Sequence, residues 1–128
     1  MNHSITFSSN VLIVDDEPHY LNGLDGLLTQ YGYSVQTASD GKTALEMAQA
    51  NRPDIILLDI KMPEMDGYEV CQHLKSDPST RDIPIIFVSP LTNVNDVVHA
   101  FQAGGVDYIT KPFQFAEVLA RVENHLTI

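Results

Sequence analysis

Apolar and polar residues alternate between two patterns along the chain. Residues 11–14, 55–58 and 85–88 form short runs that are apolar throughout, and 106–110 is read as the last strand. Runs without internal alternation suit strands buried on both faces, and hence a parallel sheet. Residues 34–38 are a weaker run, expected at a sheet edge. Between the runs the apolar positions recur at helical spacing. Pro18 suits a first helical position, and Leu21, Leu24, Leu27, Leu28 and Tyr31 follow it before Gly32 stops the pattern. Ala44, Leu45 and Ala48 predict a second helix, closed by Asn51 and Pro53. Tyr68, Cys71 and Leu74 predict a third, opened near Asp66-Gly67. Val94, Val97, Val98 and Phe101 predict a fourth before Gly104-Gly105, and Phe115, Val118, Leu119, Val122 and Leu126 a fifth. Five βα units in succession, joined by right-handed crossovers, place helices on both faces of a parallel sheet.

Size and charge narrow the picture. The 128 residues are 44% apolar, enough for one compact α/β domain. We take residues 1–10 as a flexible leader and 11–128 as the domain. Seventeen acidic residues against seven basic ones leave a net charge of -10. That balance argues against a direct nucleic-acid surface and suits a domain that holds a cation or meets a basic partner. Cys71 is the single cysteine, which excludes an internal disulfide and a Cys-based zinc site. It is expected to fill a helix rather than react. With no signal pattern and no apolar run near the ~20 residues of a membrane helix, a cytoplasmic setting is expected and membrane contact is not.

The chemistry lies at the strand ends. Asp15 and Asp16 follow the first run, Asp59 the third, Ser89 the fourth and Lys111 the fifth. In an open parallel sheet the ligand crevice lies outside the C-terminal ends of the strands, so these groups should meet at one mouth. A lone Asp after a strand is ordinarily a turn or helix cap; five polar groups at matching ends are not explained that way. Three carboxylates without Cys or spaced His favour a hard cation such as Mg²⁺ or Mn²⁺. Cation, ammonium and hydroxyl around one carboxylate supply what a phosphoryl acceptor needs, namely neutralised charge and donors aimed at the transferring oxygens. His19, His73, His99 and His125 are scattered and are assigned neither to metal nor to catalysis.

Four stretches, V-L-I-V-D-D-E-P, I-I-L-L-D-I-K-M-P-E-M-D-G, I-I-F-V-S and D-Y-I-T-K-P-F, occur in this order between Val11 and Leu126. In them the chain resembles the response-regulator receiver domains of two-component signalling, the CheY-like superfamily. The resemblance implies a flavodoxin-like (βα)5 three-layer sandwich with a five-stranded parallel sheet of order 2-1-3-4-5. It implies that Asp59 accepts a phosphoryl group from the phosphohistidine of a sensor histidine kinase or phosphotransfer protein. Asp16, Asp59 and the backbone carbonyl of Lys61 would be direct Mg²⁺ ligands, with Asp15 acting through water. Ser89, Tyr108 and Lys111 match the switch hydroxyl, the switch aromatic and the phosphate-binding lysine, and Lys111-Pro112 is expected to be cis. The output would be a changed surface on the fourth helix, fifth strand and fifth helix, read by an output domain or protein or used for homodimerisation.

Pro90 departs from the family, which usually has a small residue there whose backbone N–H points at the phosphoryl group. Proline has no N–H, so one donor is expected to be missing. Lys61, long enough to screen the acyl phosphate, and apolar Leu91 point to slow self-dephosphorylation. Gly104-Gly105 is expected to loosen the entry to the fifth strand. Two other readings remain. One is a phosphorylation-independent interaction module with the same fold. The other is an aspartyl phosphatase or phosphotransferase; Lys61 stands where such enzymes place an acid/base Asp, and the 128 residues leave no room for a cap domain.

Overall fold

The structure is a computed structural model that describes residues 9–126. Its strands are β1 (Asn10–Val14), β2 (Ser34–Ala38), β3 (Ile55–Leu58), β4 (Ile85–Ser89) and β5 (Asp107–Thr110). Its helices are α1 (Pro18–Gln30), α2 (Gly41–Ala50), α3 (Gly67–Ser76), α4 (Val94–Ala103) and α5 (Phe115–Leu126). All strand pairs are parallel, in the order β2-β1-β3-β4-β5. The expected α/β sandwich, strand order and edge position of β2 are therefore what the chain adopts.

The continuous apolar strands serve two cores at once, because successive side chains point to opposite faces. Leu12, Val14, Ile56, Leu58, Ile85 and Phe87 face Ala44, Ala48, Val70, Cys71, Leu74 and Ala100 of α2, α3 and α4. Val11, Ile13, Ile55, Leu57, Ile86, Val88 and Ile109 face Leu24, Leu27, Leu28, Val118 and Val122 of α1 and α5. Buried on both sides, the central strands have no polar face to present.

Several boundaries shift. Residues 1–8 of the expected leader lie outside the described residues, while Asn10 already pairs with Ser34 as the start of β1 and Ser9 is buried. Ser89 is the last residue of β4 rather than the first after it, and β5 starts at Asp107. Asp66 caps α3 in a reciprocal box: it accepts from the Glu69 N–H at 2.9 Å, and Glu69 accepts from the Asp66 N–H at 3.0 Å. The fourth apolar stripe does predict α4, yet the helix buries Ala100 and leaves Val94 73%, Val98 45% and Phe101 46% exposed. The pattern fixed the helical period there but not which face the body would cover.

The Gly104-Gly105 pair does not act as a loose entry. Gly104 closes α4 with φ 120°. Gly105 is buried, and a Cβ there would stand 2.7 Å from the Phe87 ring. Close packing against β4, rather than mobility, is what the second glycine supplies.

Candidate functional site

Register brings the strand-end residues together. Val14 pairs with Leu58, so Asp15 and Asp59 leave neighbouring strands side by side. Ser89 pairs with Thr110, so Lys111 emerges just beyond the Ser89 level. Backbone hydrogen bonds extend past the ladder and hold the first residue outside it. The Asp59 N–H donates to the Val14 carbonyl at 2.9 Å, the Asp15 N–H to Ala38 at 3.1 Å, and the Lys111 N–H to Ser89 at 2.9 Å. The site residues thus sit on the rigid end of the sheet.

Asp15, Asp16 and Asp59 each present a carboxylate oxygen, and these oxygens lie within 4.8 Å of one another. Asp15 and Asp59 are buried and Asp16 is exposed. Lys111, itself buried, places Nζ 2.7 Å from Asp15 Oδ2 and 3.5 Å from Asp59 Oδ1. The other Asp15 oxygen accepts from the Glu17 N–H at 2.9 Å, and Asp59 Oδ1 accepts from the Ile60 N–H at 2.9 Å. Burial, then the Asp15 charge, push the Asp59 carboxyl up to about 6, against the pull of Lys111 and the Ile60 N–H. Three carboxylates around one ammonium leave surplus negative charge, and every donor is an oxygen. That donor set fits a hard divalent cation.

The hydroxyl side of the mouth is equally ordered. Ser89 is fully buried, and its Oγ accepts from the Leu91 N–H at 3.2 Å. Tyr108 is half-buried and donates its hydroxyl to the Leu91 carbonyl at 2.7 Å. Pro90 lies between them, exposed, with no N–H to offer, and the next N–H is engaged by Ser89. Lys61 is exposed in the loop that leaves Asp59. The Lys111-Pro112 peptide is cis, as the resemblance implied.

Three further residues shape the site without a clear sequence signal. The Tyr20 ring centroid lies 4.2 Å from Lys111 Nζ, a cation–π contact. Its position in the first turn of α1, the helix that leaves the Asp15-Asp16 strand, was the one available hint. Gly67 packs against the loop that leaves Asp59: an added Cβ would stand 2.1 Å from the Asp59 carbonyl oxygen and 2.8 Å from Ile60 Cα. Glu64, in the same loop, has φ 71°, a left-handed conformation that a non-glycine residue rarely takes. Among the histidines of the described residues, His99 stacks on Tyr68, His19 meets Tyr20 edge-on and His125 lies 3.1 Å from Asp107. Cys71 is buried, and burial pushes its thiol up to about 11, as suits a helix filler.

Known proteins match this arrangement. The family model described as "Response regulator receiver domain" matches residues 11–123. The response regulator PleD of Caulobacter vibrioides is 44% identical over 117 residues, which cover 91% of this chain and 26% of that protein. The DNA-binding dual master transcriptional regulator RpaA of Synechocystis is 41% identical over 112 residues, covering 88% and 46%. This chain thus spans between about a quarter and half of those relatives' length. Among solved structures, the signal receiver domain of a signal transduction histidine kinase from Syntrophus aciditrophicus superposes with a TM-score of 0.87. It is 36% identical, covering 94% of this chain and 91% of that one. The receiver domain of a sensor histidine kinase from Pseudomonas aeruginosa superposes at 0.88, with 30% identity and coverage of 94% and 99%. It is described with a magnesium ion coordinated in its active-site cleft. No helix among the described residues is long and apolar enough to cross a membrane.

Proposed function

The chain belongs to the response-regulator receiver domain family, and on that premise we propose that Asp59 is its phosphoacceptor, charged by the phosphohistidine of a sensor histidine kinase or phosphotransfer protein. The observation that carries this reading is the meeting of Asp15, Asp16, Asp59 and Lys111 at the C-terminal mouth of the sheet. An Asp59 carboxylate oxygen attacks phosphorus, the P–N bond breaks, and the imidazole leaves with the bonding pair. Lys111 is already within reach of Asp59 and would neutralise a phosphoryl oxygen, while Tyr20 limits where its ammonium can go. The Ser89 hydroxyl would donate to another oxygen. Asp16, Asp59 and the Lys61 carbonyl would hold Mg²⁺ or Mn²⁺, with Asp15 placed through water. A bound cation would neutralise charge that develops on the transferring group.

The domain in this reading is a signalling module rather than an enzyme with an external substrate, and it acts in the cytoplasm. Its output is a population shift on the α4–β5–α5 face. Val94, Val98, Phe101 and Val106 are exposed there, available to an output module or to a second copy of the chain. Acetyl phosphate or phosphoramidate with Mg²⁺ should label the chain stoichiometrically. The label should be absent in Asp59→Asn and after chelation. Labelling that persists in Asp59→Asn, or no labelling of the native chain, would refute the assignment and leave the phosphorylation-independent reading standing.

A further inference from the structure

Helix α4 is held in an unusual way. It buries only Ala100, and its larger apolar side chains point outward, so little hydrophobic packing fixes it to the body. Its ties come instead from one stripe of α3, residues 68, 71 and 75, spaced i, i+3 and i+7 on one helix face. The Tyr68 hydroxyl donates to the Asp96 carbonyl in the first turn of α4 at 3.1 Å. The Tyr68 ring stacks on His99, centroids 3.8 Å apart and planes 16° from parallel, and packs at 5.8 Å against the buried Phe87. Burial pushes the Tyr68 hydroxyl up to about 12, so it remains a donor.

The far end of α4 is tied differently. Cys71 Sγ donates to the Ala103 carbonyl at 3.2 Å. The Lys75 stem packs where a Gly104 side chain would be, 2.8 Å from its ideal Cβ, and its ammonium donates to the Arg81 and Ile83 carbonyls at 3.0 and 2.7 Å. With Gly104 at φ 120°, this end has the character of a pivot. The first turn has a competing tether. Leu91 is bound to Ser89 Oγ through its N–H and to the Tyr108 hydroxyl through its carbonyl, and the loop runs directly from Leu91 to Asn93, the α4 cap. A Ser89 hydroxyl that turns to a phosphoryl group on Asp59 would disturb the bond it now accepts from Leu91, so the α4 start is tied both to α3 and to the mouth of the sheet.

We propose that Tyr68 is a positioning residue that latches the first turn of α4 to α3 in the unphosphorylated state, and that phosphorylation opens the latch about the Gly104 end. The inference rests on the acceptor role proposed for Asp59. Removing a bond made in only one state shifts the balance toward the other by the worth of that bond. Tyr68→Phe deletes the hydroxyl and keeps the ring. With Mg²⁺ and beryllofluoride, a phosphoryl mimic, this variant should bind about two- to tenfold more tightly than the native chain. Hydrogen exchange should quicken at α4 amides and stay unchanged at sheet amides. His99→Ala, which removes the stack from an exposed position, should shift affinity in the same direction. Unchanged or weaker binding by both variants, while the native chain binds, overturns the latch and leaves the acceptor reading intact. A native chain that binds no beryllofluoride overturns both.

Discussion

Replacing Asp59 by Asn should stabilise the metal-free domain at neutral pH and leave it unchanged in acid. The carboxyl moves from 3.8 to about 6 on folding, because it is buried next to Asp15 and only partly compensated by Lys111. At about 1.4 kcal/mol for each tenfold change in ionisation, holding it charged costs on the order of 3 kcal/mol above both values. The sign follows from proton binding. Between the two values the folded chain holds more protons than the unfolded one, so native stability falls as pH rises through the folded value. Asn cannot ionise, yet its side-chain oxygen can still accept from the Ile60 N–H, and Lys111 keeps Asp15 at 2.7 Å. Urea unfolding with a chelator, from about pH 4 to about pH 8, should give a variant advantage near zero at the acid end. That advantage should grow between about pH 4 and pH 6 and level off above it at about 2–3 kcal/mol. Mg²⁺ should then close the gap at high pH, because it binds the native fold. An advantage equal at both ends, or absent at pH 8, would refute the assigned cause of the Asp59 perturbation.

Three further substitutions have defined outcomes. Gly67→Ala should destabilise by about 1–3 kcal/mol or more, since the clashing atoms at 2.1 and 2.8 Å belong to backbone that cannot yield. Gly26→Ala in α1, where a Cβ meets nothing within 4 Å, should stabilise by about 0.5–1 kcal/mol, so paired denaturation midpoints of opposite sign are the check. Pro90→Ala restores an N–H beside Ser89 and should lengthen the acyl-phosphate lifetime and tighten beryllofluoride binding. A charge-assisted bond of about 1.5–3 kcal/mol sets the scale, and identical decay rates for the two chains would show that position 90 contributes no donor.

Much of the site was legible because its chemistry is written at boundaries. Asp15, Asp16, Asp59 and Lys111 follow strand ends and Ser89 closes one, so each polar group stands where a largely apolar segment gives out. Periodicity likewise marked every described helix and the alternating βα order, since each depends on residues close in sequence. The helix stop at Gly104 and the start at Asp66-Gly67 were local signals of the same kind. What the pattern could not carry was the exposure of Val94, Val98 and Phe101, because a helical period says nothing of which neighbour is present to cover it.

The sequence by itself therefore determined the order of elements, the apolar character of the central strands and the set of polar groups at their ends. Only the tertiary structure decided that Lys111 pairs more closely with Asp15 than with Asp59, that Tyr20 lies under that lysine, and that Gly67 touches the Asp59 carbonyl. It also decided that Tyr68 reaches Asp96 while Leu91 is held by Ser89 and Tyr108. The physical reason is range. Hydrophobic periodicity is a local property, whereas these contacts join residues up to 96 positions apart and depend on strand register to within one residue.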